Sequence, residues 1–176
     1  MNFASVLALV AMLAASGCRE SAAPPPAPPT PPPADTPIHL DHAQTGLPVI
    51  KLWVGAEELS TEVCVTMQQL ATGMMFRTNL EETAGMLFPF GQPHRASFYM
   101  RNTTVPLSAA YLDPEGAILE IHELKPLDET AVTAESDQIQ YVLEVNRGWF
   151  ARHNISTGAV VRASQGPLRK VFSGGR

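Results

Sequence analysis

Prolines dominate the run Pro24-Pro25-Pro26-Ala27-Pro28-Pro29-Thr30-Pro31-Pro32-Pro33, with Pro37 just beyond it. Proline has no backbone N–H and a fixed φ, so such a run can enter neither a helix interior nor a sheet. The form open to it is extended polyproline II, at about 3.1 Å per residue. Residues 24–37 would then make a spacer roughly 40 Å long. A peptide ligand for a proline-binding module is the other use of such a run. Everything able to build a core lies after it, in residues 38–176, which is one domain's worth of chain.

Before the prolines, residues 3–15 are almost entirely apolar. That is shorter than the roughly 20 residues needed to span a bilayer. A short apolar core followed by small residues reads as a targeting signal and is left out of the fold. Here it closes on Leu13-Ala14-Ala15-Ser16-Gly17-Cys18, which resembles a bacterial lipoprotein signal. In that pattern Cys18 becomes the lipidated N-terminus of the mature protein. An ordinary cleaved signal with an incidental cysteine is the alternative. Arg19, rather than Asp, follows the cysteine. By resemblance to other lipoproteins this implies the outer membrane, with the domain facing the periplasm. The expected organisation is a signal over 1–18, a Pro-rich tether over 19–47, a folded domain over 48–165 and a basic tail over 166–176.

The net charge of −5, with 16% charged residues, excludes a nucleic-acid-binding surface of the ordinary basic kind. With Cys18 assigned to lipid, Cys64 has no partner for an intramolecular disulfide. Its setting between Val63 and Val65 predicts a buried, inert thiol.

Short apolar runs bounded by Gly, Pro and Asn fill the domain, the pattern of an antiparallel β protein. Strands are predicted over 49–54 and 59–67, with Gly55-Ala56-Glu57-Glu58 as their turn. Residues 67–76 read as a short helix, because Gln68, Gln69, Leu70 and Ala71 are good helix formers and Gly73 can end it. Further strands are expected over 85–90, 97–103, 139–145 and 159–163, with a short helical segment over 147–154. The clearest local structure is a hairpin of 107–112 and 117–124 around Asp113-Pro114-Glu115-Gly116. Proline pre-sets φ at its second turn position, and glycine accepts φ > 0 at its fourth. Residues 125–138 read as loop. The fold class is mainly β (α+β): a small curled antiparallel sheet or open barrel with one or two short helices.

Polar residues mixed into apolar strand faces need partners when buried. Asn102 shares a predicted face with Phe98 and Met100, and Arg101 lies on the opposite one. Glu144 and Asn146 share a face with Val142. Arg101, Asn102, Glu144 and Asn146 therefore form a candidate site, with Arg77 as a possible anion contact. The alternative is that these groups only lock turns and strand ends.

Met67, Met74, Met75, Met86 and Met100 cluster in sequence, and thioethers can hold Cu(I). They also fill cores. No His-Glu-x-x-His, Gly-x-Ser-x-Gly or P-loop motif occurs, and neither a metal nor a cofactor is expected.

Four segments together resemble the domain-of-unknown-function family DUF192. They are Gly73-Met74-Met75-Phe76-Arg77; Gly85-Met86-Leu87-Phe88; Tyr99-Met100-Arg101-Asn102-Thr103 with Pro106-Leu107; and Tyr141-Val142-Leu143-Glu144-Val145-Asn146-Arg147-Gly148-Trp149. The resemblance covers about residues 50–163 and implies a compact, mostly β domain, often secreted or lipid-anchored, with no established activity. Family members usually carry Trp where Tyr99 stands and Lys where Arg101 stands. They usually carry Asp where this chain has Ser108, so a mechanism built on that carboxylate would be lost here.

Three functions follow as expectations. The first is a non-catalytic binding or accessory domain of the cell envelope, with the membrane as one partner through Cys18 and a small molecule or envelope protein as the other. The second is a small hydrolase or transferase, with Glu144 as general base and Arg101 and Asn102 stabilising negative charge. The third is a Met-rich copper protein.

Overall fold

The computed structural model describes residues 38–172. The signal, Cys18, most of the tether and the last four residues lie outside the described residues. The strands are β1 (Val49–Val54), β2 (Glu57–Val63), β3 (Ala84–His94), β4 (Ser97–Phe98), β5 (Leu107–Leu112), β6 (Ile118–Leu124), β7 (Val132–Thr133), β8 (Ile139–Asn146), β9 (Val161–Ala163) and β10 (Gly166–Pro167). Three short helices accompany them: α1 (Met67–Thr72), α2 (Trp149–Arg152) and α3 (Leu168–Phe172). No helix among the described residues is long and apolar enough to cross a membrane.

Eight strands form one sheet in the order β10-β9-β1-β2-β3-β8-β5-β6, and β4 pairs with β7 as a separate ribbon. The mainly β expectation holds, with one topological difference. β2 and β3 run parallel, in register from Ser60↔Ala84 to Val63↔Leu87. Parallel neighbours need a crossover rather than a hairpin, and here the segment carrying α1 supplies it. Thr66 starts α1 through a capping box: its hydroxyl accepts from the Gln69 N–H, while the Gln69 side chain accepts from the Thr66 N–H. Gly73 ends the helix at φ 48°.

The sheet curls until its two ends approach. Ala117 and Val160 form an isolated antiparallel bridge, and the Val161 N–H donates to the Gly116 carbonyl at 2.8 Å. No ladder joins β6 to β9, so the barrel stays open. Gly116 is required at this seam. Its φ is +85°, and a Cβ there would lie 2.6 Å from the Val161 carbonyl oxygen.

Alternating side chains give the sheet two apolar faces. Inside the curl lie Leu52, Leu59, Leu87, Leu143, Val145, Trp149 and Phe150. On the outer face, Met86, Phe88, Ala109, Tyr111 and Val142 pack beneath Met74, Ala96, Met100 and Val105 from the crossover and the β4 region. Residues 166–172, read from the sequence as the start of a solvated basic tail, carry β10 and α3. Leu168 is fully buried there, and Arg169 pairs with Glu115 at 2.8 Å.

Candidate functional site

Strand β8 is central, flanked by β3 and β5, and most of its residues are buried. Within it, Glu144 stands opposite Met86 of β3 and Ala109 of β5. Strand parity puts its side chain on the outer face with Val142, where the crossover covers it. The small side chain of Ala109 leaves room beside it. On the inner face, a Cβ on Gly85 would lie 3.0 Å from the Glu144 carbonyl oxygen and crowd Val145 and Leu143.

Glu144 lines a cavity of about 390 Å³ between the sheet, α1 and β4. Leu70, Met74, Met75, Phe88, Phe98 and Met100 supply most of its wall, with Met67, Phe90, His94 and Tyr99 also lining it. Phe98 meets Phe88 edge-to-face at 5.0 Å and Phe90 at 6.5 Å, so three rings form one continuous aromatic side. Gly73 stands against it: its absent Cβ would meet the Phe88 ring at 3.3 Å.

The polar side chains around this cavity are almost all committed elsewhere. The Thr72 hydroxyl donates to the Gln68 carbonyl and accepts from the Leu40 N–H. Thr103 donates to the Arg101 carbonyl, and Ser97 bonds Thr133. Among the described residues, Glu144 is the buried exception. It is 4% exposed, and its Oε2 has no hydrogen-bond partner. Loss of hydration, with no cation to offset it, pushes its carboxyl up to about 8. At neutral pH it is mostly a neutral acid able to donate or accept one hydrogen bond. The charge that Glu144 carries when ionised also helps hold the Tyr111 phenol above its usual range, after burial itself.

The other four candidate residues do not join Glu144 at the cavity. Strand β4 stops at Phe98, so the strand faces expected over 97–103 do not exist. Arg101 is exposed and forms a two-nitrogen pair with Glu129 at 2.7 and 2.9 Å. Asn102 is the left-handed residue of the turn that replaces the strand, at φ 54°. Its carbonyl accepts from the Phe76 N–H at 2.7 Å. Asn tolerates that conformation better than most residues, which accounts for its place here. Asn146 donates to the Leu80 carbonyl at 2.7 Å. Arg77 pairs with Glu62 at 2.6 Å and donates to the Gln44 carbonyl, in a separate shallow polar depression.

Ser108 is structural. Its hydroxyl accepts from the Gly148 N–H at 2.7 Å and donates to Glu123 at 2.6 Å. An acceptor for Gly148 is what an Asp would supply there, and Glu123 on β6 now brings the carboxylate alongside. Cys64 is buried and free, and burial pushes its thiol up to about 12, as expected for an inert thiol. Among the described residues no three His, Cys, Asp or Glu side chains gather as a metal site. Met67, Met74, Met75 and Met100 line the cavity, while Met86 is core. Their bunching in sequence was the available signal for the cavity wall.

The family model DUF192, described as uncharacterized ACR, matches residues 50–163. Two solved structures share the fold at moderate identity. One, a protein of unknown function from Novosphingobium aromaticivorans DSM 12444, is 33% identical with a TM-score of 0.65, covering 73% of this chain and 94% of its own. Another, from Sinorhizobium meliloti 1021 and described as a candidate transcription regulator, is 28% identical with a TM-score of 0.61, covering 66% of this chain and 92% of its own. No curated protein matches the chain.

Proposed function

The chain belongs to the DUF192 family, and on that premise we propose that it is a non-catalytic small-molecule-binding domain carried on the cell envelope by a lipid on Cys18. One observation carries the binding reading. An apolar cavity of about 390 Å³ has, at its wall, a buried carboxyl oxygen with no partner. Pockets of this size with one or two free polar groups are the usual form of ligand sites. An unpaired buried polar atom costs roughly 1–3 kcal/mol, which a ligand's complementary group relieves.

Binding is favoured over catalysis by what surrounds Glu144. Acyl or phosphoryl transfer needs a second group to stabilise developing charge. Arg101 is held by Glu129 at the surface, and Thr72, Thr103 and Ser97 are already bonded. The envelope location is supported by the apolar leader ending at Cys18 and the proline spacer after it. The net charge of −5 favours a small molecule over nucleic acid as partner, so the transcription label of the Sinorhizobium protein stays with that protein.

Two measurements test the reading. A neutral fluorescent apolar probe, N-phenyl-1-naphthylamine, should bind the protein with a stoichiometry of about one, and Leu70→Trp should displace it by filling the cavity. Undiminished probe binding by a folded Leu70→Trp variant would move the site elsewhere. Separately, Cys18→Ala should release the protein from the membrane fraction. Retention there would remove the lipid anchor from the reading.

A further inference from the structure

Resting on the reading of this cavity as a ligand site, we infer that its ligand class is an apolar organic cation: an ammonium group on a short hydrocarbon or aromatic body. Three features of the wall select it. The buried polar group left free at the wall is a carboxyl, Glu144, nine-tenths or more buried and unpartnered at Oε2. No Lys or Arg among the described residues lines the cavity, so an anionic ligand would meet no countercharge from them there. The three linked rings of Phe88, Phe90 and Phe98 line the same cavity as that carboxyl, and aromatic faces attract alkylammonium groups. At roughly 30 Å³ per non-hydrogen atom, about the share of a water molecule in the liquid, 390 Å³ admits about a dozen such atoms.

Before binding, Glu144 holds a proton because its charge has no partner. The cation arrives with its own charge, the Glu144 O–H bond breaks, and the proton passes to the buffer. The carboxylate and the ammonium remain as a neutral pair inside the cavity. Packed around Glu144, Tyr111 of β5 and Cys64 at the end of β2 both hold their protons firmly, since burial raises both. Met86 of β3, Ala109 of β5 and the residues of α1 bring no ionisable side chain. Tyr99 at the cavity wall is a phenol, half-exposed. His94 is the one imidazole among the described residues at the cavity wall.

The test is isothermal titration calorimetry of the full mature protein with four octyl probes: octylammonium, octyltrimethylammonium, 1-octanol and octanoate. At pH 7, octylammonium should bind at least about tenfold more tightly than 1-octanol, with octanoate weakest. The affinity of octyltrimethylammonium, whose own charge is fixed, should rise close to tenfold per pH unit from pH 5 to pH 7 and level off above pH 8. Close to one proton should be released, read from buffers of different ionisation enthalpy. His94→Gln should keep that profile. Glu144→Gln should flatten it and bring the cation down to the affinity of 1-octanol. Equal affinity for all probes, or a preference for octanoate, overturns the cation assignment and leaves the binding reading standing. Failure of every probe, in a protein whose heat of unfolding is normal, overturns both.

Discussion

Replacing Glu144 by Gln should make the fold more stable, and the gain should grow with pH. The folded carboxyl sits at about 8 against 4.5 for the free group. Between those values the folded state holds a proton that the unfolded state has released. Stability therefore falls as pH rises through that window, by about 1.4 kcal/mol per pH unit for this one group. Summed from pH 4.5 to pH 8, the loss is on the order of 5 kcal/mol, comparable with a large part of a small domain's whole stability. Glutamine keeps the size of the side chain and has no charge to bury. Urea unfolding of both proteins at pH 5, 6, 7, 8 and 9 gives the difference in stability at each pH, which cancels every other titrating group. That difference should climb through pH 7 and level off above pH 8. A constant difference across the range would show that Glu144 is hydrated or paired in solution, and the ligand argument built on its isolation would go with it.

Other sites give independent checks. Ser108→Asp should destabilise the protein by about 1 kcal/mol, because its carboxylate would stand where the hydroxyl is now 2.6 Å from Glu123. Adding Glu123→Gln should restore the loss, and a double-mutant cycle by thermal unfolding reads the coupling. Cys64 should alkylate at least about a hundredfold more slowly in the folded protein than in urea at pH 8, since its thiol is pushed up to about 12; mass spectrometry of the peptide carrying it follows the rate. Tyr111→Phe should lower stability by about 1 kcal/mol, because it removes the phenol bond to the Val132 carbonyl at 2.7 Å.

Local chemistry was legible in the sequence where it acts locally. The hairpin of β5 and β6 was readable because Asp113 closes its own turn, accepting from the Glu115 and Ala117 N–H groups at 2.9 Å. β8 was readable from its pattern, and Glu144 from being a charge on that apolar strand. What failed was anything set by distant partners. The parallel pairing of β2 with β3 leaves no local trace. β3 runs on to His94 through Pro89 and Pro93, residues that normally end a strand. Arg101 and Asn102 were placed by strand parity over 97–103, and the chain turns after Phe98. The cavity escaped for the same reason. Its wall comes from α1, residues 73–75, β3 and β4, which meet only in three dimensions.

The seam between β6 and β9 has a consequence for how the molecule breathes. A few bonds around Gly116, Ile118 and Val161 hold it, whereas full ladders hold β3, β8 and β5 together. Local opening of the protein should begin where the fewest bonds must break. Parting β9 from β6, with β9 still paired to β1, would open the core inside the curl, which contains Val161 and Leu168. Glu144 and its aromatic neighbours lie on the opposite face of the sheet, against a different core. In hydrogen exchange, the amides of Ile118, Gly158 and Val161 would trade deuterium early while those of β8 hold theirs. The domain can then fluctuate on one face and keep the cavity on the other face in shape.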